Sequence, residues 1–255
     1  MDPQASGLKK VFEKTSLLLT AEHSLCPGCG EPLAIRTILE VIQELGRRGD
    51  TICVCGIGCY TAFPNMMDVD VIQAIHGRAP SVATGAKRML PGSLVWTLQG
   101  DGDMVSEGLQ EVVHTAARGE RVTCILLNNG VFGETGGHMT ATTVPGQKTK
   151  TTPGGRDVAV HGSPIRISEL VASLDGSSYV ARGAMSTPAA IAWTRRILTE
   201  AFEDQIAGNG FSLVEILTMC PTDWYVEPKE GPRWLEENLA AYYPQKILKG
   251  RGAEA

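Results

Sequence analysis

The apolar positions along the chain alternate between helical and strand-like spacing. In residues 31–45 they recur every three or four positions, which predicts a helix with Pro32 in its first turn. Residues 104–118 show the same spacing. Three short apolar runs are typical of buried parallel strands, namely 51–55, 93–98 and 121–127. This order predicts a βαβ unit whose strand-end turns lie at the carboxyl edge of a sheet, where open sheets bind ligands.

The second half of the chain contains one long segment whose apolar residues show neither helical nor strand-like spacing. Residues 135–164 are rich in Gly, Thr and Pro, and loops of this length act as lids or interfaces or are disordered. Regular structure then resumes with predicted elements near 165–174, 178–182, from Pro188, and 211–217. Thr187 is positioned to cap the helix that begins at Pro188. The whole pattern predicts an α/β fold with a doubly wound, mostly parallel sheet.

The length and composition fit one large domain with a distinct tail. A chain of 255 residues with 43% apolar content buries a full core. We expect a domain over residues 1–222, in which 1–20 form an N-terminal arm. The tail, 223–255, sets aromatic side chains among Pro and charged residues. It is predicted to form a subunit interface, the alternative being that its aromatic residues cover this chain's own core.

The charge and hydropathy exclude several classes of partner. With 23 basic and 28 acidic residues the net charge is −5, so no nucleic acid is expected. No apolar run reaches the ~18–20 residues of a membrane span, and Leu17–Leu19 is too short for a secretory signal. Seven cysteines, an odd number, argue for thiols or thiolate ligands rather than disulfides. We therefore expect a cytoplasmic location.

Two predicted strand ends carry the ligands that a magnesium diphosphate needs. Gly100-Asp101-Gly102-Asp103 follows one strand, and Asn128-Asn129 follows the next. Mg²⁺ takes six oxygen ligands, which the Asp101 carboxylate, the Asn129 amide and the Val131 carbonyl supply in part. The glycines leave space for a phosphorylated cofactor. A plain Gly-Asp turn is the alternative, but the Asn pair favours a thiamine diphosphate site.

The cysteine pattern leaves three kinds of site open. Cys26-Pro-Gly-Cys29 has the spacing that clasps one metal. A zinc ribbon would need a second close pair, and a thioredoxin-like dithiol would need a preceding strand. An iron-sulfur cluster with dispersed ligands is the third reading. Cys53, Cys55 and Cys124 lie within predicted strands and are expected to be buried apolar thiols.

Taken together, these motifs resemble the β subunit of the 2-oxoacid:ferredoxin oxidoreductases, their thiamine-binding chain. The resemblance covers roughly residues 20–225. It rests on nine segments: Cys26–Cys29, Gly56–Cys59, His76–Pro80, Ala83–Gly85, Gly100–Asp103, Asn128–Asn129, Thr135–Gly137, Gly146–Lys148 and Cys220–Thr222. Cys220-Pro-Thr-Asp-Trp and the later Tyr-Tyr-Pro look most like the chains that act on branched-chain 2-oxoacids such as 2-oxoisovalerate.

The resemblance implies a set of site residues and a thiamine diphosphate-binding fold. One 4Fe-4S cluster would be bound by Cys26, Cys29, Cys59 and Cys220. Mg²⁺ would be held by Asp101, Asn129 and the Val131 carbonyl, and His76 would be catalytic. The cofactor pocket would be lined by His76, Asp101, Asn129 and Val131. It would also contain Gly56, Ile57, Gly58, Gly77, Arg78, Gly100, Gly102, Asp103, Thr135 and Gly136.

The implied reaction is the oxidative decarboxylation of a 2-oxoacid to acyl-coenzyme A and CO₂, with ferredoxin as electron acceptor. An α subunit would supply the glutamate that activates thiamine. A γ subunit and either a ferredoxin-like δ subunit or free ferredoxin would complete the enzyme. The alternative substrates are 2-oxoglutarate, pyruvate and aryl pyruvates. A non-redox thiamine decarboxylase or ligase is the rival within the class, and a non-catalytic zinc-binding scaffold is the rival outside it.

Two departures from the family pattern affect specificity. Glu134 precedes the Thr-Gly-Gly segment and His138 follows it, where related chains have a non-acidic residue and a Gln. A Glu134 carboxylate that faces the pocket would disfavour a purely apolar 2-oxoacid and repel a second substrate carboxylate. Alternatively, Glu134 faces solvent or a basic residue of a partner. Residues 60–64 also differ, so no coenzyme A contact is assigned to them.

Overall fold

The computed structural model describes residues 15–20, 22–251 and 253. Residues 1–14 of the predicted N-terminal arm lie outside these ranges. The strands are β1 Thr51–Cys55, β2 Asp70–Gln73, β3 Leu94–Gly100, β4 Thr123–Asn128, β5 Val131–Phe132, β6 His138–Met139, β7 Ser177–Ala184, β8 Phe211–Leu217 and β9 Lys246–Lys249. The α-helices are α1 Glu31–Glu44, α2 Ala79–Met89, α3 Leu109–Ala117, α4 Val158–His161, α5 Ile167–Ala172, α6 Pro188–Ala207, α7 Pro221–Trp224 and α8 Gly231–Trp234.

Seven strands form one sheet, in the order β2-β1-β3-β4-β8-β7-β9. Every neighbouring pair is parallel except β7 and β9, which are antiparallel. Helices α1 and α6 pack on one face, and α2, α3 and α5 pack on the other. The predicted doubly wound α/β fold is confirmed. None of the helices within the described ranges is long and apolar enough to cross a membrane.

Most of the elements predicted from apolar spacing are present. The strand predicted at 51–55 is β1, and the strand predicted at 211–217 is β8. Thr187 caps α6 as expected, since its side chain accepts a hydrogen bond of 3.1 Å from the Ala190 amide. Cys53, Cys55 and Cys124 are fully buried in the sheet, as predicted. The sequence analysis missed β2, α2 and β9.

The predicted helix over 104–118 is divided. A wide, π-helical segment covers Gly102–Glu107, and α3 begins only at Leu109. The break lies at Gly108, where a Cβ atom would come within 2.6 Å of the Gly77 carbonyl oxygen. The close approach of these two backbones, which a periodicity argument cannot detect, divides the helix.

The long segment predicted without regular structure is ordered by side chains. It contains only β6 and α4, but several of its threonines are buried. The Arg156 guanidinium is also buried and donates hydrogen bonds to the carbonyls of Thr140, at 3.1 Å, and Thr143, at 2.8 Å. Because these contacts satisfy backbone groups that a helix or sheet would otherwise satisfy, the segment is fixed without a repeating pattern.

The described part of the tail packs on this chain's own core. Trp224, Tyr243 and Ile247 are buried with residues of α1 and α6, and β9 extends the sheet beside β7. Trp224 and Tyr243 therefore cover this chain's core, and Trp234 and Tyr242 pack against it. A subunit interface on the outer surface of the tail, where Tyr225 is 65% exposed, stays a prediction.

A buried ion pair links the sheet to the tail. The Arg182 Nε atom lies 2.7 Å from Glu215 Oε2, and both side chains are completely buried. Arg182 also contacts Glu169 at 2.7 Å and donates to the Pro244 carbonyl at 3.2 Å. Removing one member of such a pair leaves the other charge buried without compensation.

We predict that Arg182→Met lowers the free energy of unfolding by about 3–5 kcal/mol, because Glu215 loses its buried counter-charge. The control is Arg233→Met, which removes a surface pair with Glu237 whose side chains are 73% and 61% exposed. It should cost less than about 1 kcal/mol. Urea unfolding followed by tryptophan fluorescence measures both changes, and equal losses would contradict the prediction.

Candidate active site

A cavity opens at the carboxyl ends of β1, β3 and β4. The strand order reverses between β1 and β3, so no crossover connection covers this point, and open α/β sheets bind ligands in such crevices. The residues around the cavity come from five segments of the chain. They are Glu31, Ile57, Gly58, Cys59, Tyr60, His76, Gly100, Asp101, Gly102, Asp103, Asn129, Val131, Phe132, Gly133, Glu134 and Thr135.

Asp101 lies directly after β3 and is only 1% exposed. Its Oδ2 atom accepts hydrogen bonds of 2.6 Å from the hydroxyls of both Thr140 and Thr142. The backbone N–H of Asn129 donates a hydrogen bond of 3.4 Å to Asp101 Oδ1. Burial raises the pKa of Asp101 to about 6, although these hydrogen bonds oppose the increase. A bound divalent cation would favour the ionised carboxylate.

The turn after β4 presents Asn129 and Val131 to the cavity. The Asn128 side chain accepts a 3.1 Å hydrogen bond from the Gly130 amide and donates one of 2.7 Å to Glu215. Gly130 has φ of +72°, which favours glycine. The Asn129 Oδ1 atom accepts from the Val131 amide at 3.0 Å. Asn128 thus shapes the turn and links it to the buried ion pair through Glu215.

Asp103 has a different role in the geometry from Asp101. Its Oδ1 atom accepts a 2.8 Å hydrogen bond from the Gly77 amide and lies 3.1 Å from His76 Nδ1. Its Oδ2 atom accepts from Gln99 at 2.7 Å and from the Tyr60 hydroxyl at 3.2 Å. Because both oxygens are occupied by protein groups, the Asp103 side chain orients His76 at the mouth of the cavity.

Cys59 lines the cavity, and the segments that contain Cys26, Cys29 and Cys220 lie close to it although they are far apart in sequence. The Gly30 amide donates a 2.9 Å hydrogen bond to the Met219 carbonyl and so joins the Cys26–Cys29 loop to the segment before Cys220. A Cβ atom built on Gly133 would lie 3.2 Å from the Cys59 sulfur and 3.8 Å from the Cys220 sulfur. The four thiols predicted as one ligand set therefore lie in one region.

Burial raises the pKa values of three of these thiols. Burial raises the pKa of the Cys29 thiol to about 12, with smaller contributions from Glu31 and Cys26. Burial also raises the pKa values of Cys59 and Cys220, and both thiols interact electrostatically with Cys29. Iron would hold such thiols as thiolates. Among the described residues, no three His, Cys, Asp or Glu side chains are grouped tightly enough to hold a single metal ion.

Glu31, the first residue of α1, was not identified as a site residue from the sequence. Its side chain is 3% exposed and lines the cavity. Burial, with smaller contributions from the nearby Asp101 and Glu134, raises the pKa of its carboxyl to about 8. From the sequence, an acidic residue in a first helical turn indicates only a favourable interaction with the helix dipole. Its burial in the cavity depends on tertiary packing.

The loop after β5 forms the outer rim. Glu134 is exposed to solvent, lines the cavity and hydrogen-bonds to the Cys59 thiol. Thr135 lies beside it, and its hydroxyl is 2.7 Å from His138 Nδ1. Burial raises the pKa of Asp223. The nearby His138 and Lys150 oppose this increase but do not cancel it. Glu134 therefore faces both the pocket and solvent.

Some residues predicted to bind the cofactor lie just outside the cavity lining. Gly56 packs beneath it, where a Cβ atom would lie 2.0 Å from Asp103 Oδ2. Gly77 contacts Asp103 through its amide, and Arg78 forms a 3.5 Å ion pair with Glu111 on α3. Gly136 is exposed next to Thr135. Among the residues that contact site groups, the sequence analysis missed Glu31, Gln99, Phe132, Thr140 and Thr142.

The residues present fit a magnesium diphosphate. Asp101 and Asn129 bring carboxylate and amide oxygens to one wall of the cavity, and Mg²⁺ prefers oxygen ligands. A Cβ atom on Gly100 would meet only Tyr60, at 3.3 Å, and the Leu127 carbonyl oxygen, at 3.9 Å, so this wall is open to a ligand. The geometry is consistent with the ligand set suggested by the motifs.

Comparison with known proteins identifies the family of the chain. The family "Thiamine pyrophosphate enzyme, C-terminal TPP binding domain" matches residues 56–216. The ketoisovalerate oxidoreductase subunit VorA of Methanothermobacter marburgensis is 36% identical over 249 residues, which are 97% of this chain and 52% of that protein. The 2-oxoglutarate synthase subunit KorB of Archaeoglobus fulgidus is 33% identical over 214 residues, which are 84% of this chain and 76% of that protein.

The fold also has a solved counterpart. It is similar to a chain of the 2-oxoglutarate:ferredoxin oxidoreductase from Magnetococcus marinus, solved with 2-oxoglutarate, coenzyme A and succinyl-CoA bound. The TM-score is 0.76 at 24% identity, over 96% of this chain and 87% of the other. At this identity the likeness establishes the fold alone.

The family match over residues 56–216 shows that the chain contains a thiamine pyrophosphate-binding domain of an enzyme, and its fold agrees with this class. More narrowly, the chain belongs to the family of β-type subunits of the 2-oxoacid:ferredoxin oxidoreductases. It spans about half the length of the ketoisovalerate oxidoreductase relatives that it matches.

Proposed function

We propose that this chain is the thiamine diphosphate- and 4Fe-4S-binding subunit of a heteromeric enzyme that oxidatively decarboxylates a 2-oxoacid to acyl-coenzyme A and CO₂, with ferredoxin as electron acceptor. The observation that supports it best is the meeting of two sets of ligands at one cavity. Oxygen ligands from Asp101 and Asn129 form one wall, and the Cys59 thiol lies on another. A cluster beside the organic cofactor suits the transfer of electrons one at a time.

The bound cofactor would supply the electron sink for decarboxylation, and the protein would supply binding and orientation. Asp101, Asn129 and the Val131 carbonyl would hold Mg²⁺. Thr140 and Thr142 would fix the Asp101 carboxylate through their hydroxyls, each 2.6 Å from Oδ2. His76, oriented by Asp103, would face the reacting atoms at the mouth of the cavity.

The cluster would be held by Cys26, Cys29, Cys59 and Cys220. The hydrogen bond between Gly30 and Met219 supports this assignment, because it joins the first cysteine pair to the segment that contains the last cysteine. An α subunit would supply the glutamate that activates thiamine. A γ subunit and a ferredoxin-like δ subunit or free ferredoxin would complete the enzyme and carry electrons onward.

For the substrate, we propose a 2-oxoacid with a single carboxylate, of the branched-chain type such as 2-oxoisovalerate. Glu134 faces the pocket and disfavours an apolar side chain, but because it stays exposed to solvent this cost is smaller than its repulsion of a second substrate carboxylate. Glu134 and Glu31 place two carboxyl groups around the cavity, and Phe132 adds an aromatic ring. A second substrate carboxylate, as in 2-oxoglutarate, would be repelled there. One relative is named for ketoisovalerate and another for 2-oxoglutarate, so sequence similarity does not distinguish the two substrates. The choice of a substrate with one carboxylate rests on the residues of the cavity.

We predict that Asp101→Asn abolishes binding of magnesium thiamine diphosphate, because the cation loses its carboxylate ligand, while the fold is retained. The matched control is Asp175→Asn, which changes an exposed residue. Titration calorimetry measures the affinity, and circular dichroism checks the fold. Unchanged binding by a folded Asp101→Asn protein would rule out the proposed cofactor site.

We further predict about four irons, with acid-labile sulfide, per copy of this chain after anaerobic purification. Cys220→Ser should lose the cluster because it removes one thiolate ligand. Cys124→Ala, which changes a buried thiol of β4, should keep it. Iron and sulfide analysis together with the visible absorption spectrum decide the question. Zinc without sulfide in the native protein would instead support a zinc-binding scaffold.

We predict that the assembled complex prefers 2-oxoisovalerate to 2-oxoglutarate. Glu134→Leu should lower the ratio of the two kcat/KM values by about tenfold or more, because it removes the like-charge repulsion of the second substrate carboxylate. The exposed Glu227→Leu serves as control. Reduction of a viologen dye, measured with both substrates, pyruvate and aryl pyruvates, gives the ratios of kcat/KM. An unchanged ratio in Glu134→Leu would mean that this carboxylate does not act on the substrate.

A further inference from the structure

Glu31 is a buried carboxyl group in the cavity for which the metal and cluster assignments give no function. Its side chain is 3% exposed, and its Oε2 atom has no hydrogen-bond partner in the described part of the chain. A buried polar atom without a hydrogen-bond partner lowers the stability of the fold. Because Glu31 belongs to the lining of the cavity, its carboxyl group is a candidate contact for the ligand.

The position of Glu31 in the helix does not account for its burial. As the first residue of α1 it could stabilise the helix dipole, but an exposed carboxylate does that equally well. A purely structural role would also leave both oxygens hydrogen-bonded to neighbouring groups. The unpartnered Oε2 atom is not explained by either role.

The surroundings of Glu31 favour a positively charged occupant. Asp101 and Glu134 both lie close enough to interact with its carboxyl group. Among the described residues that line the cavity there is no Lys or Arg, and His76 lies at the mouth beside Asp103. A cavity lined by carboxyl groups attracts cationic groups and disfavours anionic ones.

We propose that Glu31 binds the positively charged, nitrogen-containing ring part of thiamine diphosphate, and that it does not contribute to binding of the diphosphate. This inference rests on the proposed function, because it requires thiamine diphosphate in the cavity. It divides recognition of the cofactor between two walls. Asp101 and Asn129 hold the diphosphate through the metal, and Glu31 contacts the ring portion.

The test compares two ligands that share the diphosphate. Magnesium thiamine diphosphate and magnesium pyrophosphate are titrated separately into the full-length chain by calorimetry. Glu31→Leu and Glu31→Gln should weaken thiamine diphosphate binding by about tenfold or more, because a hydrogen bond to a charged group is lost. Both variants should leave pyrophosphate binding within about twofold, because they change no metal ligand. Asp101→Asn should weaken both ligands, and the exposed Glu227→Gln should weaken neither.

The outcomes separate the inference from the function on which it rests. If Glu31→Leu weakens both ligands equally, or neither, while Asp101→Asn weakens both, the inference is overturned and the cofactor site stands. If the native chain binds neither ligand, or Asp101→Asn binds both normally, the proposed function itself fails.

Thermal unfolding without ligand gives a second readout. Glu31→Leu should raise the melting temperature of the ligand-free chain, because it removes an unpartnered buried carboxyl group. A lower melting temperature would indicate a structural role for Glu31 and would overturn the inference. Where the Leu variant does not fold, Glu31→Gln decides by the same comparison of the two ligands.

Discussion

The reversal of strand order between β1 and β3 is the constraint on which the site depends. β1 is followed by β2 on one side and has β3 on its other side, so the carboxyl ends of β1 and β3 are not covered by a crossover connection. The chain fills this crevice with strand-end turns that contain Gly58, Asp101 and Asn129. Because all three turns follow parallel strands, they meet at one edge of the sheet and face the same cavity.

Behind the cavity, hydrogen bonds from buried groups fix the turns. Asp103 binds the segment after β2 through the Gly77 amide, and Asn128 ties the turn after β4 to Glu215. Glu215 is in turn paired with Arg182, and both are fully buried. Buried charges of this kind are costly unless they are fully paired. Their complete pairing here holds the backbone of the site in one arrangement before any ligand binds.

The four cysteines show how far sequence reasoning reaches. The spacing of Cys26 and Cys29 indicates a metal-binding loop, but nothing in the local pattern near Cys220 points to the same site. The family resemblance supplied that residue, and in the fold the contact between Gly30 and Met219 brings the two segments together. This contact requires the sheet to be complete through β8, so the proposed ligand set would assemble only in the finished fold.

The sequence by itself determined the α/β class, the strand-end positions of Asp101 and Asn129, and the buried thiols of the central strands. These features are local, because apolar period and glycine-flanked turns follow from neighbouring residues. Only the tertiary structure decided that Asp103 contacts His76 while Asp101 accepts hydrogen bonds from Thr140 and Thr142. It also decided that Glu31 is buried in the cavity with an Oε2 atom that has no hydrogen-bond partner among the described residues. The physical reason is that burial and hydrogen-bond partners depend on residues distant in sequence, such as Thr140 for Asp101.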